Sequence, residues 1–159
     1  MKLSEKLLTK LVEDPPPGRH LVSVSDETPL GWIAALTVDR ADVVGCVMWE
    51  LALQCRAADA WNADALTARG DRMANSVTGL LEPLKLIEVD AVRNEALLRS
   101  DAPMRRGGDL FYYEVKLQPH NTIALRRYRA AQEPGSKREQ VPFTLTHDAI
   151  GKLVDDLTV

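Results

Sequence analysis

The sequence predicts a single α+β domain: N-terminal helices, then an antiparallel meander of about four to five strands, then a closing C-terminal helix packed on the sheet. Three observations predict it. Two strand-like runs between Asp109 and Ala131 can be paired residue by residue, apolar residues recur at helical spacing through 41–82, and an amphipathic stripe occupies 146–157.

Leu3, Leu7, Leu8, Leu11 and Val12 share one face of a helix over 1–14. That helix must stop at Asp14, because Pro15-Pro16-Pro17-Gly18 cannot continue it, and the proline run over 15–18 reads as a stiff spacer. His20 to Ser25 alternates weakly, as an edge strand would. Asp26-Glu27-Thr28-Pro29 then sets up a helix start with Pro29 at the first helical position and a short helix over Leu30 to Leu36. From Ala41 to about Trp61 the stripe Val44, Val47, Met48, Leu51, Cys55, Ala58 recurs at helical spacing, and Trp49 and Leu53 widen its apolar face. The strongest helix of the chain is expected there. A second helical pattern, Leu66, Met73, Val77, Leu80 and Leu81, runs to Pro83; Arg69-Gly70-Asp71 inside it matches an adhesion tripeptide by letters only.

The sheet is expected over 84–145. Leu84 to Val92 and Ala96 to Ser100 read as strands turning at Arg93-Asn94-Glu95, with Ile87, Val89 and Ala91 as an apolar face. Taking Pro119-His120-Asn121 as a three-residue loop sets Gln118 opposite Thr122 and carries the register to Phe111 opposite Arg129. A slip of one residue would put Lys116 against Leu125 and turn each side chain to the wrong face of its partner. In this register Glu114 meets Arg126, Tyr112 meets Tyr128, and Arg127 and Arg129 lie beside Tyr113 and Phe111. Val141 to Leu145 is the last strand, its proline placing it at an edge or a strand start. Thr146 caps a final helix whose buried stripe is Ile150, Leu153, Val154 and Leu157.

A net charge of −3 and a pI near 5.6 give no global basic footprint, which disfavours nucleic acid or an anionic membrane as the main partner. The charge is uneven. Between Arg105 and Glu139, eight Lys/Arg face four Asp/Glu, so that segment carries +4 and the remainder −7. Arg105, Arg106, Arg127, Arg129, Lys137 and Arg138 are therefore the candidate ligand-binding residues. No charged-then-apolar leader opens the chain and no run approaches the roughly 20 apolar residues that cross a bilayer, so a cytoplasmic protein with no membrane partner is expected. Cys46 and Cys55 fit buried thiols of a reducing compartment, neither belonging to a CxxC pair.

Catalytic and cofactor signatures are thin. His20, His120 and His147 lack metal-ligand spacing, Gly107-Gly108 and Gly135-Ser136-Lys137 lack the context of a phosphate loop, and no serine sits in a nucleophile elbow. His147-Asp148 reads as part of a helix start, and no cofactor or metal is implied. The expectation is a non-enzymatic binding or assembly module that uses its sheet or long helix to engage a protein partner or a second copy of itself. Binding of an anionic ligand or nucleic acid through the basic loops is the alternative, followed by an enzyme whose site is assembled from distant residues.

Overall fold

Ten extended segments are joined antiparallel in one sheet. The computed structural model describes residues 1–13, 15–57, 59–80 and 82–159. In chain order the elements are α1 (Leu3–Leu11), β1 (His20–Ser25), β2 (Trp32–Ala41), β3 (Gly45–Cys55), α2 (Ala63–Ser76), β4 (Leu84–Asp90), β5 (Glu95–Ser100), β6 (Met104–Arg106), β7 (Asp109–Gln118), β8 (Thr122–Ala131), β9 (Glu139–Val141), β10 (Phe143–Thr146) and α3 (His147–Leu157). The sheet runs β1-β2-β3-β8-β7-β5-β4, with β10 beside β3, β9 beside β8 and β6 beside β7.

The β7–β8 hairpin has the register expected from the sequence over its whole length, from Gln118 opposite Thr122 to Asp109 opposite Ala131. His120 and Asn121 take the left-handed conformation that closes the three-residue loop. Asn121 is buried: its carboxamide accepts from the Trp61 N–H at 2.9 Å and donates to the Asp59 carbonyl at 2.8 Å, fastening the loop after β3 to the hairpin tip.

All three helices pack on one face. α1 lies against β1, β2 and α3, α3 against β10, and α2 against β4 and β5. This inner face holds the core, in which Leu7, Leu36, Met48, Leu98, Leu125 and Val154 are fully buried. On α2, Gly70 lets the helix approach the sheet, since a Cβ there would stand 2.9 Å from the Leu86 Cδ1. The outer face carries no helix. Both sheet edges are blunted as well. Lys6 and Lys10 of α1 donate to the outward carbonyls of Ser25 and Ser23 on β1, and a bulge at Ile87 breaks the pairing rhythm of β4.

Pairing between β3 and β8 covers only four positions, Leu51 to Gln54 against Leu125 to Thr122, after which the two strands splay. The segment Glu139–Thr146 fills the fork. β9 follows β8, with Val141 opposite Arg127, then β10 turns back along β3, with Phe143 opposite Met48. Pro142 sits at the apex, where a residue without an N–H leaves no donor unpaired. The sequence placed this proline at an edge or a strand start; it stands directly before the start of β10, at the break between two short strands that each pair on one side.

Four expectations are corrected here. The sheet has ten strands rather than four or five, because it begins at His20. The helix expected over Leu30 to Leu36 is the start of β2, and the helical region expected from Ala41 to Trp61 is the turn after β2 followed by β3. The cause is a bulge at Trp49, which puts Cys46 and Met48, then Leu51 and Leu53, on the inner face and so imitates helical steps. Cys46 and Cys55 are accordingly nine strand residues apart, on the order of 30 Å, rather than on one helix. The bulge at Ile87 also overturns the apolar face Ile87-Val89-Ala91; Leu84, Leu86 and Val89 face the core, and Ile87 is exposed. Helix α1 ends at Leu11 and α2 at Ser76, while Asp14, Ala58 and Leu81 of the expected patterns lie outside the described residues.

Candidate functional site

The outer face is built by the alternate residues that the core leaves over. Cross-strand register lines them into rows. A central row of small side chains, Ser23, Ala35, Ala52 and Ala124, crosses four strands. Beside it Glu50, Arg126, Glu114, Arg99 and Lys85 form a row that alternates in charge before ending on two cations. The next row holds Gln140, Tyr128 and Tyr112, the two phenol rings 6.0 Å apart.

Arginines lie over the rings. Arg138, from the loop before β9, sits 3.8 Å from the Tyr128 centroid and clamps the buried Glu114 carboxylate, which Arg99 also reaches at 3.1 Å. Arg99 in turn stands 5.5 Å from the Tyr112 ring. Arg126 turns from Glu114 to Glu50 at 2.6 Å, so the pair expected within the hairpin is replaced by a pair to β3. Bulges at Asp39 and Trp49 turn both residues toward Arg19, which contacts Asp39 at 3.3 Å and lies 4.0 Å from the Trp49 ring. Hydrogen bonds to Glu114 and Tyr112 hold the Arg138 guanidinium above its ordinary range, and Tyr128 and then Glu50 do the same for Arg126, so both stay cationic at any working pH.

The six residues singled out in the sequence are divided between the faces. Arg105 and Arg138 belong to the outer face, and Lys137 is exposed in the loop beside Arg138. Arg106, Arg127 and Arg129 belong to the inner face. Arg127 is buried, 3.0 Å from Glu82 and 4.3 Å from the Tyr113 ring, as a fastening between the sheet and the segment after α2. Arg129 is paired with Glu139 rather than stacked on Phe111. Sequence reasoning missed Arg19, Trp49, Glu50 and Arg99. The signal for Trp49, Glu50 and Arg99 was the alternation of β3 and β5, hidden in β3 by the bulge; Arg19, in the loop before β1, had none.

Two concavities border this surface. A cleft of about 490 Å³ at the β2–β3 turn is lined by Arg40, Val47, Thr144 and Thr146 among others, but Thr146 already caps α3 and the Cys46 thiol beside it is pushed up to about 11, chiefly by burial. A second, of about 170 Å³, is ringed by Glu114, Arg99, Arg138, Lys116 and Glu95, all tied in ion pairs, with no serine, cysteine or histidine in its lining. Among the described residues no three metal-ligating side chains converge, and no helix is long and apolar enough to cross a membrane.

Compared with known protein families, curated proteins and solved structures, the chain finds no match in any of the three.

Proposed function

We propose that this protein is a non-enzymatic binding module that engages a protein partner through the outer face of its sheet. One observation carries the reading: all three helices pack on a single face, and the uncovered face bears tyrosine, tryptophan and arginine held in fixed geometry. These residue types dominate the energetic centres of protein interfaces, and side chains already immobilised lose little further entropy on binding. The blunted edges favour the face over strand addition; the ion-paired concavity has no serine, threonine, cysteine or histidine in its lining, and the thiol in the larger cleft, Cys46, is held protonated by burial.

The test is to place a long side chain in the central small row, Ala52→Arg, and to compare it with wild type and with an inner-side surface variant, Asp148→Ala on α3. Affinity capture from the native host, with light scattering over a wide concentration range, should return a specific partner or self-association that Ala52→Arg abolishes and Asp148→Ala keeps. Monomer at all concentrations with no specific capture, or retention by Ala52→Arg, would end this reading.

A further inference from the structure

The two halves of the outer face differ in charge. In the half running from the Glu50–Arg126 row to the β2–β3 and β6–β7 ends, Lys85, Arg99, Arg126, Arg40, Arg105 and the loop residues Arg19 and Arg138 stand against Asp39, Glu50 and Glu114. Seven cations against three carboxylates leave +4, on a chain whose total is −3. The other half has Lys116 and the turn residue Arg93 against Glu88, Asp90 and Glu95, a balance of −1. Cationic excess is thus confined to the half that also carries Trp49, Tyr112 and Tyr128.

Resting on the outer-face reading above, we infer that the partner presents an acidic, extended peptide segment to this half of the face. Charge complementarity argues for it. Glu114 shares one carboxylate between Arg99 and Arg138, so the pairing neutralises only one of the two guanidiniums, and the side chains of Arg19, Arg99, Arg126 and Arg138 remain 39% to 56% exposed. A guanidinium has five N–H donors in a planar fork, so an arginine bonded to one carboxylate still has donors for another. Arg126 and Arg99 are two strands apart, roughly 10 Å, and both are long, part-exposed side chains, so they can reach carboxylates two residues, about 7 Å, apart on one face of an extended chain.

The three carboxylates within the patch set the partner class. A peptide offers backbone N–H and hydroxyl donors between its acidic side chains, and Asp39 and Glu50, 34% and 25% exposed, can accept from them, whereas Glu114 is buried between its two arginines. The phosphate oxygens of a nucleic acid carry the charge and only accept, so the same carboxylates oppose its backbone. An acidic peptide therefore fits better than a nucleic acid.

The probe is a fluorescein-labelled peptide of alternating glutamate and serine, followed by fluorescence anisotropy on the full chain, with oligothymidylate and an alternating lysine and serine peptide beside it. Wild type should bind the acidic peptide, more weakly as sodium chloride rises. Arg40→Glu/Arg105→Glu, at two exposed positions with no salt bridge among the described residues, should weaken it about tenfold with the fold intact by circular dichroism. Arg99→Ala/Arg138→Ala should do at least as much, and Lys116→Ala, in the opposite half, should change affinity by less than about twofold. Tighter binding of oligothymidylate, no binding of the acidic peptide, or indifference to the charge reversals would overturn the inference. If Ala52→Arg still abolished partner capture in those cases, the outer-face reading would survive without its acidic partner.

Discussion

At the scale of single residues, the arginines of this protein do different work according to the face on which alternation puts them. Arg127 was visible in the sequence as one of a basic trio, yet it is 8% exposed, and its partner Glu82 is 9% exposed. Arg127 Nη1 and Glu82 Oε1 are buried without a further hydrogen-bond partner among the described residues, so the pair is held by its own attraction and by the Tyr113 ring. Removing one member strands the other charge. Arg127→Met alone should destabilise by roughly 3–5 kcal/mol in urea unfolding, whereas Arg127→Met with Glu82→Leu should recover most of that loss. A double variant as unstable as the single one would show that the pair is needed for more than mutual neutralisation. The register of the hairpin was legible because Phe111, Tyr113, Val115 and Leu117 alternate without interruption. The choice of Glu50 over Glu114 by Arg126 was not, since it depends on a third strand 76 residues away.

At the scale of elements, the misreadings have one origin. A bulge adds a residue without adding a step of the sheet, so the apolar positions of β3 fall at 46, 48, 51 and 53 and blend the two periods by which helix and strand are told apart. Ile87 does the same to β4. α3, with no bulge to disturb it, was readable down to its cap: the Thr146 side chain accepts from the Ala149 N–H at 3.1 Å. The seating of β10 on β3 depends on Gly45, where a Cβ would stand 2.7 Å from the Leu145 carbonyl oxygen, a backbone atom that cannot swing away. Gly45→Ala should therefore push the two strands apart and lower stability by about 1–3 kcal/mol, with faster amide exchange along β10 than along β7. Uniform exchange across both strands would contradict this local account.

At the scale of the whole molecule, stability should depend on alkaline pH through a buried thiol. Burial, aided by Asp39, pushes Cys46 from its ordinary 9.0 up to about 11, and the residue is 2% exposed. The unfolded chain therefore releases this proton first as pH rises. Stability is full below about pH 9 and falls between 9 and 11 by on the order of 2–3 kcal/mol. Burial also raises the Tyr113 phenol, which acts in the same direction, so the thiol is isolated by comparison with Cys46→Ala, whose unfolding midpoint should fall less over that window. Parallel curves for the two proteins would count against it. The division of the sheet into a helix-covered face and a bare one was beyond the sequence, because it follows from which segments pair and not from any one of them. The α+β class and the closing helix needed only local pattern.

The fork between β3 and β8 has a consequence for how the protein is made. β3 leaves the ribosome long before, and β8 shortly before, the Val141-Pro142-Phe143 keystone that fills their fork, and only four residue pairs join the two strands directly. Birth of the chain thus runs ahead of closure of its sheet, and the nascent molecule carries an open seam until the segment ahead of α3 has been made.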